Sequence, residues 1–129
     1  MPSLAVWGPG EEALARAVVE TSSGAAILSP QTTIADVVAL ARAASLYVSG
    51  DTGPAHIAAA VGTPVVGIYG PTRPSRNGPW SAHDVTVSRA DVCRCHHLRQ
   101  CRLKTMCLED VQVEEVLAAV DRRMAAPRG

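Results

Sequence analysis

The stretch Ser49–His56, with the sequence SGDTGPAH, lies between two apolar runs and has the composition of a tight turn from a strand into a helix. The run Leu46–Val48 before it predicts a short buried strand, and the two glycines of the stretch let the backbone approach a ligand without a Cβ in the way. Pro54 fits the first helical position, where its missing N–H costs nothing. Gly62 stands where a left-handed residue would end the helix, which predicts a two-turn helix from Pro54 to Val61.

The start of this helix is expected to favour an anion. The first N–H groups of a helix have no partner within it, and the helix dipole places its positive end there. Together these features suit a phosphate or a diphosphate. The stretch therefore predicts a phosphate site at a strand-to-helix turn. The alternative is an ordinary turn, in which Asp, Thr, Gly and Pro serve local capping.

Outward from the turn, short apolar runs alternate with helical patterns. Strands are predicted at Leu4–Trp7, Ala25–Leu28, Leu46–Ser49 and Pro64–Tyr69, with a weaker strand at Val85–Val87. A capping-box-like Thr33-x-x-Asp36 begins the second helix, and residues 110–124 carry the apolar stripe of a C-terminal helix. Strands this apolar have no face in water. The pattern therefore predicts an open parallel sheet with helices on both sides, a Rossmann-like three-layer α/β/α domain.

The segment at residues 70–80, GPTRPSRNGPW, breaks this alternation. It contains three prolines and two glycines. Proline lacks the N–H that helices and sheet ladders use, so the segment is predicted to be a loop with neither a helix nor a central strand.

Size and charge limit the classes of function. A chain of 129 residues fits one domain, and its core must rest mostly on Ala, Val, Leu and Ile because the sequence has no Phe. Acidic and basic residues number 12 each, so no global field draws the protein to nucleic acid or to an anionic membrane. No apolar run approaches a membrane span, and no secretory signal is visible. We expect one cytoplasmic domain over residues 1–129.

Three groups of residues together resemble glycosyltransferase family 9, the heptosyltransferase family of lipopolysaccharide core synthesis. They are the Asp51 turn, the helix Ala55–Ala60 with Gly62 and Pro64 after it, and Gly70-Pro71-Thr72 with Pro74. The order of elements on either side also fits, so the resemblance covers nearly the whole chain. It implies one half of a GT-B glycosyltransferase, an architecture of two Rossmann-like domains, and specifically the half that binds the nucleotide-sugar donor.

The resemblance also implies what the sequence lacks. Such enzymes carry an N-terminal acceptor domain that holds the catalytic base, and their donor domain opens with a further strand and a glycine-containing loop. We therefore expect a truncated donor domain with no catalytic residue of its own, which transfers little or no sugar alone. Its donor would be ADP-heptose or a related nucleotide sugar, and its acceptor a lipopolysaccharide-core or similar glycan. The resemblance implies no cofactor for the transfer, and a place at the inner face of the cytoplasmic membrane would agree with it.

The Asp51 turn supplies the first predicted donor-binding residues. Thr52 and Gly53 would offer backbone amides, and Thr52 its hydroxyl, to the donor phosphates. A carboxylate would repel a diphosphate, so Asp51 would accept hydrogen bonds from sugar or ribose hydroxyls, or hold the loop as a cap. A neutral His56 would donate a hydrogen bond to phosphate, although a lone histidine is also often structural.

The second motif supplies the remaining candidates, Gly70, Thr72 and Arg76. Thr72 should face the same crevice, because ligands of open parallel sheets bind beyond the carboxyl ends of the strands. Arg76 could clamp an anion through its guanidinium, or it could be a solvated surface residue.

Four cysteines form the pattern C-x-C-x5-C-x5-C between residues 93 and 107. Cys93, Cys95, Cys101 and Cys107 could hold a tetrahedral zinc or an iron–sulfur cluster, with two adjacent histidines as substitutes. The segment lacks the paired C-x-x-C of common zinc modules, and free thiols or disulfides are the alternatives.

The same segment carries four basic residues, which leaves a second class of function open. The chain could be a non-catalytic binding or scaffold module with a cysteine-rich metal knuckle. Nucleic acid is not an expected partner, because the segment has no interleaved aromatic side chains on which bases could stack.

Overall fold

A computed structural model describes residues 1–78, 81–95 and 106–128. The chain forms two compact units, Met1–Val37 and Val38–Gly129. In both units the strands pair in parallel, and helices follow strands along the chain. The expected α/β class with open parallel sheets is confirmed. Within the described ranges, no helix is both long and apolar enough to cross a membrane.

The smaller unit contains a two-stranded parallel sheet. Strands β1 (Ser3–Ala5) and β2 (Ala26–Leu28) pair with Ser3 opposite Ala26, and helix α1 (Glu12–Thr21) connects them. Strand β1 thus begins and ends earlier than the predicted Leu4–Trp7. The indole Nε1 of Trp7 instead donates a hydrogen bond to the carbonyl oxygen of Ser29 at 2.9 Å.

Helix α2 (Ile34–Ala43) begins at the predicted capping box. The amide of Asp36 donates to Thr33 Oγ1 at 3.2 Å, and the amide of Thr33 donates to Asp36 Oδ2 at 2.8 Å. The hydrogen bond from the Thr33 amide, followed by that from the Thr33 hydroxyl to the same oxygen at 2.7 Å, lowers the pKa of Asp36. The Thr-x-x-Asp pattern was therefore interpreted correctly.

The larger unit contains a three-stranded parallel sheet in the order β3-β4-β5. Its strands are β3 (Tyr47–Gly50), β4 (Val65–Tyr69) and β5 (Val85–Ser88). Helix α3 (Gly53–Ala60) follows β3, and helix α5 (Val113–Ala125) comes last.

Neighbouring valines of β4 show how both faces of this sheet are covered. Val65 packs with Ala58 of α3, whereas Val66 packs with Ala119 of α5. Consecutive side chains of a strand point to opposite faces, so α3 and α5 lie on opposite sides of the sheet. This arrangement was predicted from the apolar strands.

The end of α3 depends on a left-handed glycine. Gly62 has φ +78°, its amide donates to Ala59 O at 3.0 Å, and the amide of Thr63 donates to Ala58 O at 3.0 Å. This pair of bonds is a Schellman motif, which satisfies the last carbonyls of the helix. The predicted helix from Pro54 is thus confirmed with its bounds shifted by one residue.

The prediction that residues 70–80 contain no helix is wrong. A short helix α4 occupies Pro74–Asn77, with Pro74 at its first position. Proline fits there because the N–H it lacks would have no partner in the helix. The C-terminal helix, expected over residues 110–124, is α5 with its start shifted to Val113 and its end to Ala125, and a 3₁₀ turn at Cys107–Asp110 precedes it.

Candidate functional site

The turn between β3 and α3 lies at the carboxyl edge of the three-stranded sheet. Thr52 precedes the helix in an extended conformation, with φ −137° and ψ 161°, and its carbonyl accepts the amides of Ala55 and His56 at 3.1 and 3.4 Å. Gly53 is the first helical residue, so no carbonyl of the helix can accept its N–H. Both Thr52 and Gly53 are exposed. The turn therefore presents a backbone donor at the positive end of α3.

The Thr52 side chain is exposed beside the start of α3. It does not cap α3; instead Thr52 Oγ1 and Ser49 Oγ lie 3.0 Å apart and share a hydrogen bond. A hydroxyl pair can donate and accept at once, so one of the two can turn its proton outward toward an anion.

The carboxylate of Asp51 is held from two sides. Asn77 Nδ2 donates to Asp51 Oδ2 at 3.0 Å, and His56 Nε2 lies 3.5 Å from Asp51 Oδ1. The side chain of Asp51 is 20% exposed and that of His56 is 41% exposed. The structure thus brings Asp51, His56 and Asn77 together. Their roles toward a ligand stay predictions.

Tyr69 holds the backbone from which Asn77 projects. Its phenol is buried at the end of β4 and donates to the carbonyl oxygen of Asn77 at 3.1 Å. Burial, and to a smaller extent the charges of Asp51 and Asp84, raise the pKa of Tyr69, so the phenol keeps its proton at neutral pH. Sequence reasoning missed both Tyr69 and Asn77. The only signal was a polar side chain in a proline-rich segment wrongly assigned as a loop.

The other predicted residues of the second motif differ in their surroundings. Gly70 is buried, and a Cβ there would lie 2.6 Å from Cγ of Leu108, so a side chain at this position would displace Leu108 of the 3₁₀ turn. Thr72 is half-buried and Arg76 is exposed on α4. Within the described part of the chain, no hydrogen bond joins Thr72 or Arg76 to the Asp51 turn.

A cavity of about 520 Å³ lies beside the turn, next to Gly50. Its walls are formed mostly by apolar side chains, and Gln112 contributes the one polar side chain among the described residues of the lining. The lining residues are Gly50, Ile68, Leu108, Val111, Gln112, Val113, Val116 and Leu117. Such walls carry no charge to neutralise a diphosphate, whereas they can cover an apolar group. The sequence did not indicate this cavity, because its two sides come from strand ends and from residues at least forty positions further along.

The cysteine segment gives the metal prediction no support. Cys93 and Cys95 are buried and Cys107 is half-buried, while Cys101 and the two histidines lie outside the described residues. Among the described residues, no three potential ligands gather around a common point. The amide of Cys95 donates to Cys93 Sγ at 3.4 Å, which is a local turn contact.

A family model described as glycosyltransferase family 9 (heptosyltransferase) matches residues 4–107. Lipopolysaccharide heptosyltransferase 3 of Escherichia coli is 33% identical over 95 residues, which cover 74% of this chain and 28% of that protein. The chain therefore spans little more than a quarter of this relative.

Two solved structures have the same fold. The E. coli heptosyltransferase WaaC with ADP superposes with a TM-score of 0.73 at 21% identity, covering 94% of this chain and 33% of that one. A glycosyl transferase family 9 protein from Veillonella parvula superposes with a TM-score of 0.77 at 22% identity, covering 95% and 36%. The expected Rossmann-like half of a GT-B fold is confirmed by these matches.

Proposed function

The chain belongs to glycosyltransferase family 9, the heptosyltransferases, and on that premise we propose that its Ser49–His56 turn binds the diphosphate of a nucleotide-sugar donor. The observation that carries the proposal is the exposed Gly53 amide at the start of α3, set at the carboxyl edge of a parallel sheet. Ligands of open parallel sheets bind at this edge, and helix N-termini attract phosphate.

The groups around the turn suit different parts of a nucleotide-sugar donor. The Gly53 amide and the Thr52 hydroxyl are neutral donors suited to phosphate oxygens. Asp51, which directly precedes Thr52, is an acceptor suited to the hydroxyl groups of a ligand. We assign the diphosphate to Thr52 and Gly53, and the hydroxyls of the sugar or ribose to Asp51. His56, whose Nε2 lies 3.5 Å from Asp51 Oδ1, would lie between the diphosphate and the hydroxyl groups.

The donor that fits the family is ADP-heptose. The neighbour WaaC was solved with ADP, and the curated relative is a lipopolysaccharide heptosyltransferase. In the proposed reaction a glycan hydroxyl attacks the anomeric carbon of the heptose and forms the new glycosidic bond. The bond to ADP breaks, ADP leaves with the electron pair, and a base takes the proton of the hydroxyl.

This chain would supply only part of that chemistry. The amide of Gly53 and the dipole of α3 would stabilise the negative charge that builds up on the departing ADP. We propose that the base and the acceptor site come from a companion domain, as the chain spans about a third of its solved neighbours. The cytoplasmic location, at or near the inner membrane face, stays a prediction.

The first test is ligand-induced stabilisation of the 129-residue chain. ADP or ADP-heptose at about 100 times its Kd should stabilise the fold by about 2.7 kcal/mol and raise its Tm. Thr52→Asp should abolish the shift, because a carboxylate at the start of α3 repels phosphate. Ser75→Ala, at an exposed position of α4, is the matched control and should keep the shift. The absence of a shift with any nucleotide or nucleotide sugar would refute the proposal.

A further inference from the structure

We propose that Asn77 is a positioning residue that fixes the Asp51 carboxylate for hydroxyl groups of the donor sugar. The inference rests on the donor site proposed above and adds a specificity element to it. Asn77 belongs to α4, while Asp51 follows β3, so the contact joins two segments that are 26 positions apart in the sequence.

Only one assignment of donor and acceptor is possible for the hydrogen bond between Asn77 and Asp51. An ionised carboxylate accepts hydrogen bonds and cannot donate them, so the amide nitrogen of Asn77, and not its oxygen, must face Asp51. At 3.0 Å, Asn77 Nδ2 occupies one acceptor position of Asp51 Oδ2. A carboxylate offers about four such positions. Asp51 therefore keeps further acceptor positions for a ligand, and its side chain is 20% exposed.

Asn77 is itself fixed by the fold. The buried phenol of Tyr69 donates to the carbonyl oxygen of Asn77 at 3.1 Å. The next residue, Gly78, has an extended backbone that lies against α4, where a Cβ would collide with the carbonyl oxygen of Pro74. These contacts fix the backbone of Asn77, and a positioning side chain requires such a fixed backbone.

A neutral amide suits this task better than a cation would. It holds the carboxylate in one orientation and leaves its negative charge available to the ligand. A heptose presents several hydroxyl donors, and a hydrogen bond to an ionised acceptor is about twice as strong as one between neutral groups. ADP without the sugar lacks those hydroxyls, so the effect of Asn77 should depend on the sugar.

Isothermal titration calorimetry of the full 129-residue chain with ADP-heptose and with ADP tests the inference. Asn77→Ala should weaken ADP-heptose binding about tenfold, since it loosens a hydrogen-bonded charged group, and should change ADP binding by less than about twofold. Ser75→Ala in the same helix should alter neither affinity. Circular dichroism of each variant checks the fold, and the isosteric Asn77→Asp replaces Asn77→Ala if the latter does not fold.

A double-mutant cycle separates positioning from general support of the fold. In an Asp51→Ala background, Asn77→Ala should cause no further loss of ADP-heptose affinity, because the group it positions is absent. Equal losses for ADP and ADP-heptose, an unchanged ADP-heptose affinity, or a loss that persists without Asp51 would each overturn the inference. A wild-type chain that binds neither ligand would refute the proposed function and this inference with it.

Discussion

Asp84 and Arg123 are buried charges, each with a side chain only 1% exposed. Arg123 Nε donates to Asp84 Oδ1 at 2.9 Å, and the same oxygen accepts the amide of Val65 at 2.9 Å. Arg123 Nη1 donates to the carbonyl oxygen of Pro127 at 3.0 Å. Several hydrogen bonds thus offset the loss of hydration of both ions. The pair joins the end of α5 to the start of β5, and the bond from the Val65 amide extends this link to the start of β4.

Arg123→Met should destabilise the protein by about 3–5 kcal/mol, because it leaves the Asp84 carboxylate buried without its partner. Urea unfolding measures the change. Arg122→Met, one position earlier and exposed, is the matched control and should change stability by less than about 0.5 kcal/mol. Equal effects of the two substitutions would show that the buried pair does not hold α5.

Single residues show the limit of sequence reasoning most clearly. The sequence places two basic residues, Arg122 and Arg123, in the last turn of α5, where the helix dipole favours them. It could not predict which of the two is buried, because the partner Asp84 lies 39 positions away. Asn77 was missed for the same reason. Its significance depends on Asp51, and no local pattern connects them.

At the scale of elements, Arg89 fixes the start of α5. Its Nε donates to Asp110 Oδ2 at 2.8 Å and its Nη2 donates to Glu115 Oε2 at 2.6 Å. Glu115 also accepts the amide of Gln112 at 2.9 Å, as part of a capping box. The hydrogen bond from Arg89, followed by that from the Gln112 amide, lowers the pKa of Glu115. These contacts hold the 3₁₀ turn and α5 where they form the cavity wall.

This network should make stability depend on acid pH. The pKa of Glu115 is lower in the folded state than its ordinary value of 4.5, so the stabilisation is present above that value and is lost as the pH falls through the folded-state pKa. Glu115→Gln should therefore flatten the fall of stability below about pH 4.5, measured by urea unfolding over a pH series. Glu114→Gln, its exposed neighbour, should retain the slope. An unchanged slope in Glu115→Gln would contradict this account.

Elements with local signals were predicted well. The capping box of α2, the Pro54 start and Gly62 end of α3, and the apolar strand β4 all carry their determinants within a few residues. The helix α4 was missed because its prolines were interpreted only as breakers, although Pro74 occupies the one helical position that tolerates it. The 3₁₀ turn depends on contacts with Gly70 and Arg89, which lie far from it in sequence.

At the scale of the whole molecule, the alternation of strands and helices was sufficient to predict a parallel α/β fold. It did not determine the strand order β3-β4-β5 or the register that places Val66 opposite both Val48 and Val85. Register and order depend on pairing between distant segments. The site follows from them, because the order brings the ends of β3 and β4, and hence Asp51 and Asn77, side by side.

Binding of the donor diphosphate at the Ser49–His56 turn can be observed residue by residue in an NMR titration of the ¹⁵N-labelled chain with ADP. We expect saturable shifts that are largest at the amide of Gly53 and its neighbours in residues 51–56, because these N–H groups would donate to phosphate. Shifts that are absent, or that are largest around Val113–Leu117 in the apolar cavity, would contradict binding at this turn.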